Sequence, residues 1–399
     1  MDYSLYFHIP FCVHRCAYCD FNTYAGREAL MPAYVIALYK EIEIIAESAP
    51  GRLPAHTIFF GGGTPSLLSP DQFEQILQTA WAHFDFSAAV STGQLEVSLE
   101  ANPGTVTAGS LQNLCKLGFN RISFGVQSAH PQELRQLERI HDFFDVIDSV
   151  QWARQAGFQN INLDLIYGLP EQSLARWQES VRRAVDLQPE HLSLYALTIE
   201  AGTPFGHWAG RGLLPMPDPD LAADMYEWVT DFLRAEGYEQ YEISNWAKAG
   251  FQCRHNLQYW RNQPYLGFGA GAHGSADHLR ISNVLRIRTY IDHMEAIRST
   301  VGQAFPLSPA TVSRKRVTSR DEMQETMMLG LRLTQEGVSE ETFRARFGRE
   351  MQEVFGKEID ELAGLGLLEW IITPESKAVR LTRRGRLLGN QVFMRFVGE

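Results

Sequence analysis

Cys12, Cys16 and Cys19 fall within one eight-residue stretch, spaced C-x3-C-x2-C, in a chain with five cysteines in all. At that spacing three thiols can converge on one metal centre. Three is one short of the four ligands that close a tetrahedral zinc site or an ordinary iron–sulfur cubane. A cubane held by three thiolates keeps one iron open. An open iron implies ligand exchange or chemistry, where a closed site implies structure. Zinc completed by His8 or His14, or a set of unrelated buried cysteines, are the alternatives. Tyr18 and Phe21 would shield a cluster from water, and such burial tunes its potential.

Other unusual runs carry potential ligands. Gly61-Gly62-Gly63-Thr64-Pro65 lets the backbone approach a ligand closely. No Lys-Ser/Thr follows it, so it is not a nucleotide phosphate loop. Glu100 lies in Leu99-Glu100-Ala101-Asn102-Pro103, Gln127 in Val126-Gln127-Ser128, and Asp164 in Asp164-Leu165-Ile166-Tyr167-Gly168. The segment His255-Asn256-Leu257-Gln258-Tyr259-Trp260 is aromatic and histidine-bearing, which fits either a core segment or a ligand patch. Cys115 reads as a buried apolar residue in a helix, and Cys253 as a lesser candidate thiolate ligand.

The elements that must position these residues alternate. Short β-like runs at Tyr3–His8, Thr57–Phe60, Leu95–Leu99, Arg121–Gly125, Ile161–Leu165 and His191–Leu197 are followed by helical periodicity. The helices are expected near 32–47, 70–83, 108–117, 142–156, 174–187 and 219–236. Ser69-Pro70-Asp71-Gln72 is an N-terminal capping signal, and Gly118 and Gly157 stand where helices stop. Six repeats imply a parallel α/β architecture, whether barrel or open sheet, with function at the C-terminal ends of its strands. The unusual runs sit at those ends, so one shared site is expected. Residues 200–219 read as a loop or lid, 238–302 as an extension without clear elements, and 303–313 as a linker. From 314 onward, a helix over Ser319–Leu333 with a Ser319/Glu322 capping box, helices near 339–347 and 350–364, strands near 367–372 and 377–382 and a last helix suggest a small winged-helix-like domain.

Net charge is −11. Residues 310–399 are near neutral, with 15 Lys+Arg against 14 Asp+Glu, so the acidity belongs to the first part. That argues against nucleic acid as a partner. No apolar run is long enough to span a bilayer and the N-terminal residues lack a signal-peptide pattern, so a cytoplasmic protein is expected. Clustered cysteines suit a reducing compartment and a metal site.

C-x3-C-x2-C with an aromatic before the third cysteine resembles the radical S-adenosylmethionine (SAM) superfamily. The wider run Tyr6-Phe7-His8-Ile9-Pro10-Phe11-Cys12 is similar to the branch containing oxygen-independent coproporphyrinogen III dehydrogenase and the HemW heme chaperones. The resemblance runs over nearly the whole chain. It implies a partial (β/α)6 radical SAM barrel over 1–237 with a winged-helix-like C-terminal domain. It implies a [4Fe–4S] cluster on Cys12, Cys16 and Cys19, with SAM on its open iron. Tyr6, Tyr18, Gly62, Gly63, Thr64, Glu100, Gln127, Arg139 and Asp164 would contact SAM, and Tyr195-Ala196-Leu197-Thr198 would border the adenine. It also implies heme contact at His255, Asn256, Tyr259 and Trp260.

Two departures separate the branches. The dehydrogenases carry a further cysteine two residues after the third, where this chain has Phe21. They also carry an N-terminal arm before the cluster, whereas Cys12 stands almost at the start. The resemblance therefore implies a heme chaperone, with heme as cargo and client hemoproteins as partners. Anaerobic coproporphyrinogen III dehydrogenase is the alternative, and whether the chain turns over as an enzyme stays open. SAM cleavage would need an external electron donor, since the chain has no flavin motif. Membrane contact would be peripheral, through clients only.

Overall fold

The structure is a computed structural model and describes residues 2–296, 304–372 and 377–397. The chain divides into two compact units, Met1–Asp231 with Pro264–Lys315, and Phe232–Gln263 with Arg316–Glu399.

In the first unit, β1 (Tyr3–Ile9), β2 (Ala55–Gly62), β3 (Glu96–Ala101), β4 (Arg121–Gln127), β5 (Asn160–Tyr167) and β6 (His191–Ala196) lie side by side in chain order, all parallel. Helices Met31–Ser48, Pro70–His83, Ala108–Lys116, Phe143–Ala156 and Leu174–Asp186 connect them, and Pro219–Ala235 follows β6. These are the six expected β/α repeats. Local signals act as expected. Ser69 and Gln72 form a reciprocal capping box, and Gly157 ends its helix in the left-handed conformation at φ 110°. Strands with apolar residues on both faces suit a parallel sheet covered on both sides. Phe7 of β1, fully buried, stacks between Phe60 and Phe268 at centroid distances of 5.0 and 5.1 Å. Burying such a side chain contributes about 2–3 kcal/mol.

The segment expected as one extension, 238–302, is divided between the units. Its later part supplies sheet strands. Tyr265–Phe268 lies parallel to β1, and His273–Ala276 and Leu279–Asn283 continue antiparallel beyond it. Glycine obscured these strands in the sequence. A Cβ on Gly267 would lie 1.9 Å from the His273 carbonyl oxygen, so the hairpin requires glycine there, where it breaks the alternating pattern.

Of the expected linker, residue 303 lies outside the described residues. The rest is built into the fold, with Ser308 buried and Thr311–Arg316 as the edge strand. Glu41, fully buried, explains this. It accepts from the Gly269 amide at 2.7 Å, Asn283 Nδ2 at 2.7 Å, Tyr290 Oη at 2.8 Å and Ser308 Oγ at 2.6 Å. One carboxylate thus pins the Met31–Ser48 helix to four later segments. The expected lid at 200–219 contains a short helix, Pro204–Gly210, capped by Thr203 and anchored by fully buried Phe205. Cys115 is only half-buried, not a core residue.

In the second unit, helices Ser319–Gly330, Glu340–Phe347 and Met351–Gly364 pack with a three-stranded sheet ordered Val338–Ser339, Lys377–Leu381, Leu368–Ile372. The first of these strands carries no sequence signal because it has two residues. The first helix has its N-cap one residue earlier than expected. Its capping box joins Thr318 and Asp321, not Ser319 and Glu322. Two short helices, Arg383–Leu387 and Gly389–Met394, replace the single final one.

Candidate functional site

The cysteine loop leaves β1 at the C-terminal rim of the sheet. Phe11–Cys12 pairs with Tyr24–Ala25, closing the loop on itself, and the Ala17 backbone bonds to Leu137 O and Phe205 N. None of the three cysteines is in a disulfide; Cys12 is buried, and Cys16 and Cys19 are half-buried. Thr64 Oγ1 donates to Cys12 Sγ at 3.7 Å, and Arg139 Nη1 to Cys16 Sγ at 3.5 Å. Burial pushes the Cys12 and Cys19 thiols above their usual range. A bound metal centre is the kind of charge that ionises such thiols.

Tyr18 packs with Ala17, Leu137, Ile166, Leu169 and Phe205. Phe21 does not shield the loop, since it is 64% exposed. The histidine alternatives for zinc do not fit. His8 Nδ1 accepts from Tyr6 Oη at 3.0 Å and its Nε2 donates to Asn22 O at 2.9 Å, so both ring nitrogens are engaged. His14 instead faces Glu138 at 3.3 Å. Among the described residues no three His, Cys, Asp or Glu side chains stand at the spacing of a single metal ion.

The β2–β4 ends surround this loop. Gly62, at φ 109°, lies against His8, whose ring would be 2.4 Å from a Cβ placed there. The Gly62 amide donates to Glu100 Oε2 at 3.0 Å. Burial, with the nearby Asp164 charge, pushes Glu100 up to about 7 against the opposing Gly62 bond. Asp164 is also raised by burial, although it accepts from Ser123 Oγ at 2.8 Å and Asn162 Nδ2 at 2.7 Å. Gln127 sits after a bulge in β4, at φ 66°, beside Gly125. Arg139 is half-buried. Its Nη2 donates to Asn102 Oδ1 at 2.5 Å and to Gly125 O at 2.6 Å, and its Nε has no partner. The Cys16, Tyr18 and Asp164 environment keeps it charged against the cost of burial.

The rim therefore gathers cysteine sulfurs, an aimed guanidinium with a spare donor, and two carboxylates from different strands, Glu100 near the end of β3 and Asp164 inside β5. A zwitterionic, cationic ligand such as SAM complements that set. Asn102, Ser123 and Asn162 are contacts that sequence reasoning did not single out. Only Asn102, in its Glu-Ala-Asn-Pro run, gave a local signal.

The second unit holds the His255 segment on helix Arg254–Trp260. His255 is 1% exposed, and its Nε2 pairs with Tyr259 Oη at 2.8 Å. Asn256, Tyr259 and Trp260 are half-buried. Arg332 lies 4.3 Å over the Trp260 ring and 3.5 Å from the fully buried Glu242. The buried Trp260 Nε1 has no partner.

Residues 6–184 match the radical SAM superfamily, and residues 317–388 match the HemN C-terminal domain. The chain is 40% identical over 397 residues to heme chaperone HemW of Bacillus subtilis, covering 99% of both chains. The chain belongs to the HemW family. The HemW protein of Escherichia coli is 36% identical, over 99% of this chain and 98% of that one. Among solved structures, coproporphyrinogen III oxidase (HemN) of Escherichia coli, a radical SAM enzyme, superposes at a TM-score of 0.80. It is 24% identical and covers 99% of this chain and 90% of that chain. At that identity HemN shares the fold with this HemW family member: a radical SAM sheet and a HemN-type C-terminal domain. Among the described residues no helix is long and apolar enough to cross a membrane.

Proposed function

We propose that this chain is a heme carrier built on a radical SAM platform, delivering heme to client hemoproteins. The full-length likeness to proteins named heme chaperones carries this reading. Cys12, Cys16 and Cys19 hold a [4Fe–4S] cluster. Gly62, Gly63, Thr64, Glu100, Gln127, Arg139 and Asp164 bind SAM, with Tyr6 and Tyr18 packed beside it. When bound, the cluster offers one iron to SAM and a source of an electron for its cleavage.

The protein's own groups do the rest. Arg139 carries the charge and donors that suit a carboxylate in a bidentate fork. Asp164 suits ribose hydroxyls. Glu100, once ionised, suits the ligand's positive charge. Phe21, exposed where the dehydrogenases have a cysteine, favours heme handling over decarboxylation. His255, Asn256, Tyr259 and Trp260 are the proposed heme contacts. Ligation through His255 Nε2 requires its bond to Tyr259 to open. The setting is the cytoplasm, with an external electron donor wherever SAM is cleaved, no nucleic acid partner, and membrane contact through clients alone. The units that would serve this are a barrel that takes in residues 264–315 and a second unit that carries both the His255 segment and the C-terminal module.

The test is anaerobic cluster reconstitution, then heme titration, transfer to an apo-hemoprotein, and a coproporphyrinogen III assay on the same sample. Heme uptake and transfer without porphyrinogen product support the proposal. Decarboxylated product with stoichiometric 5′-deoxyadenosine sinks it in favour of the dehydrogenase.

A further inference from the structure

Asn102 hydrogen-bonds to no cysteine, yet it links the groups that reach two of them. Its Oδ1 accepts from Arg139 Nη2 at 2.5 Å, and the same guanidinium donates through Nη1 to Cys16 Sγ. Its Nδ2 donates to Thr64 Oγ1 at 2.9 Å, and Thr64 donates to Cys12 Sγ. The amide orientation is not free. A guanidinium has only donors, so the carboxamide oxygen must face Arg139 and its NH2 must face Thr64. With Oγ1 accepting from Asn102, the Thr64 hydrogen is left for the Cys12 sulfur.

We propose that Asn102 is a positioning residue for the metal site: one carboxamide aims a hydroxyl at Cys12 and a cation at Cys16, and so sets the reduction potential of the bound cluster and the readiness of Arg139 for SAM. This rests on the cluster and SAM assignment above. The physical cause is that added electron density on a cluster gathers on its sulfurs, where donors stabilise it, and that partners of this kind tune a metal site from one bond away.

Asn102→Asp keeps the size but makes both ends acceptors. Thr64 then donates to the introduced carboxylate and no longer to Cys12. Thr64→Val removes the same sulfur contact directly. The experiment first requires wild-type protein to take up a cluster whose reduced EPR spectrum changes on adding SAM. EPR-monitored redox titrations then compare wild type, N102D, T64V and the double variant. The expected result is a more negative potential in each single variant, and a double-variant shift smaller than their sum because the Thr64 contact is lost only once. SAM affinity of Asn102→Leu should fall at least tenfold, on the order seen when a ligand's supporting partner is removed.

Unchanged potentials in N102D and T64V, or a strictly additive double variant, overturn the inference. If N102D takes up no cluster, T64V still decides it, since an unshifted T64V potential removes the proposed route to Cys12. A wild type with no SAM-responsive cluster overturns the parent reading, and this inference with it, which the first measurement reveals separately.

Discussion

The Gly62 amide donates to Glu100 Oε2 at 3.0 Å, tying the glycine loop after β2 to the carboxylate ending β3. This bond favours the charged carboxylate, yet burial and Asp164 outweigh it and raise Glu100 from 4.5 to about 7. Between those values the folded protein holds a proton that the unfolded chain has released. Stability from this group is therefore fully present below pH 4.5 and is lost as pH rises through 7, by up to about 3 kcal/mol. Glu100→Gln should flatten the fall in stability between pH 5 and 7.5, read by urea unfolding of cluster-free protein. It should also abolish a pH dependence of SAM binding. In wild type, a cationic ligand that needs ionised Glu100 binds about tenfold tighter for each pH unit gained below 7 and no tighter above it. An equal pH slope in both proteins would remove Glu100 from the site.

Gly62→Ala should destabilise the barrel before it affects any ligand. The added methyl meets the His8 ring at 2.4 Å, and the position has φ 109°, strained for any side chain. The cost expected is about 2–4 kcal/mol, from overpacking plus backbone strain. Wild-type-like unfolding would show that His8 has room to retreat.

Cys16→Ser should lose bound iron and the SAM-induced EPR change while keeping the fold. Cys16 is only half-buried, and a serine oxygen still accepts from Arg139. Iron and sulfide analysis with circular dichroism checks this. Global unfolding of the variant would make the cluster structural instead.

His255→Ala should weaken heme binding and spare iron content and SAM response. Tyr259→Phe should act oppositely, because it releases His255 Nε2 from its 2.8 Å bond, at a stability cost of about 1 kcal/mol. Absorbance titration with heme reads both. Unchanged affinity in the two variants would locate the heme ligand elsewhere.

Glu41→Ala should be among the most damaging single changes, by about 3–5 kcal/mol, because four buried donors lose their acceptor at once. Urea unfolding measures it. Glu41→Gln should recover part of the loss, since its carbonyl oxygen still accepts.

Legibility followed locality. The six β/α repeats were readable because each rests on apolar runs, capping boxes and stop glycines that are close neighbours in the chain. The strand Tyr265–Phe268 was not, because Gly267 is required by the approach of His273, a contact its neighbours in sequence do not reveal. Ser308 read as linker for the same reason, its partner Glu41 lying far back in the chain. At the site, the cysteines and the glycine loop announced themselves by spacing. Phe21 looked like a shield because it is aromatic, and only the loop's path turns it outward.

The sequence by itself determined the residue types of the candidate site, their order along successive strands and the family resemblance, because spacing and local capping are properties of neighbouring residues. Tertiary structure alone decided which groups meet. It engaged both nitrogens of His8, buried Glu100 beside Asp164 so that its carboxyl is pushed up to about 7, and put Asn102 between Thr64 and Arg139. These depend on burial and on distances between residues far apart in the chain, which only folding brings together.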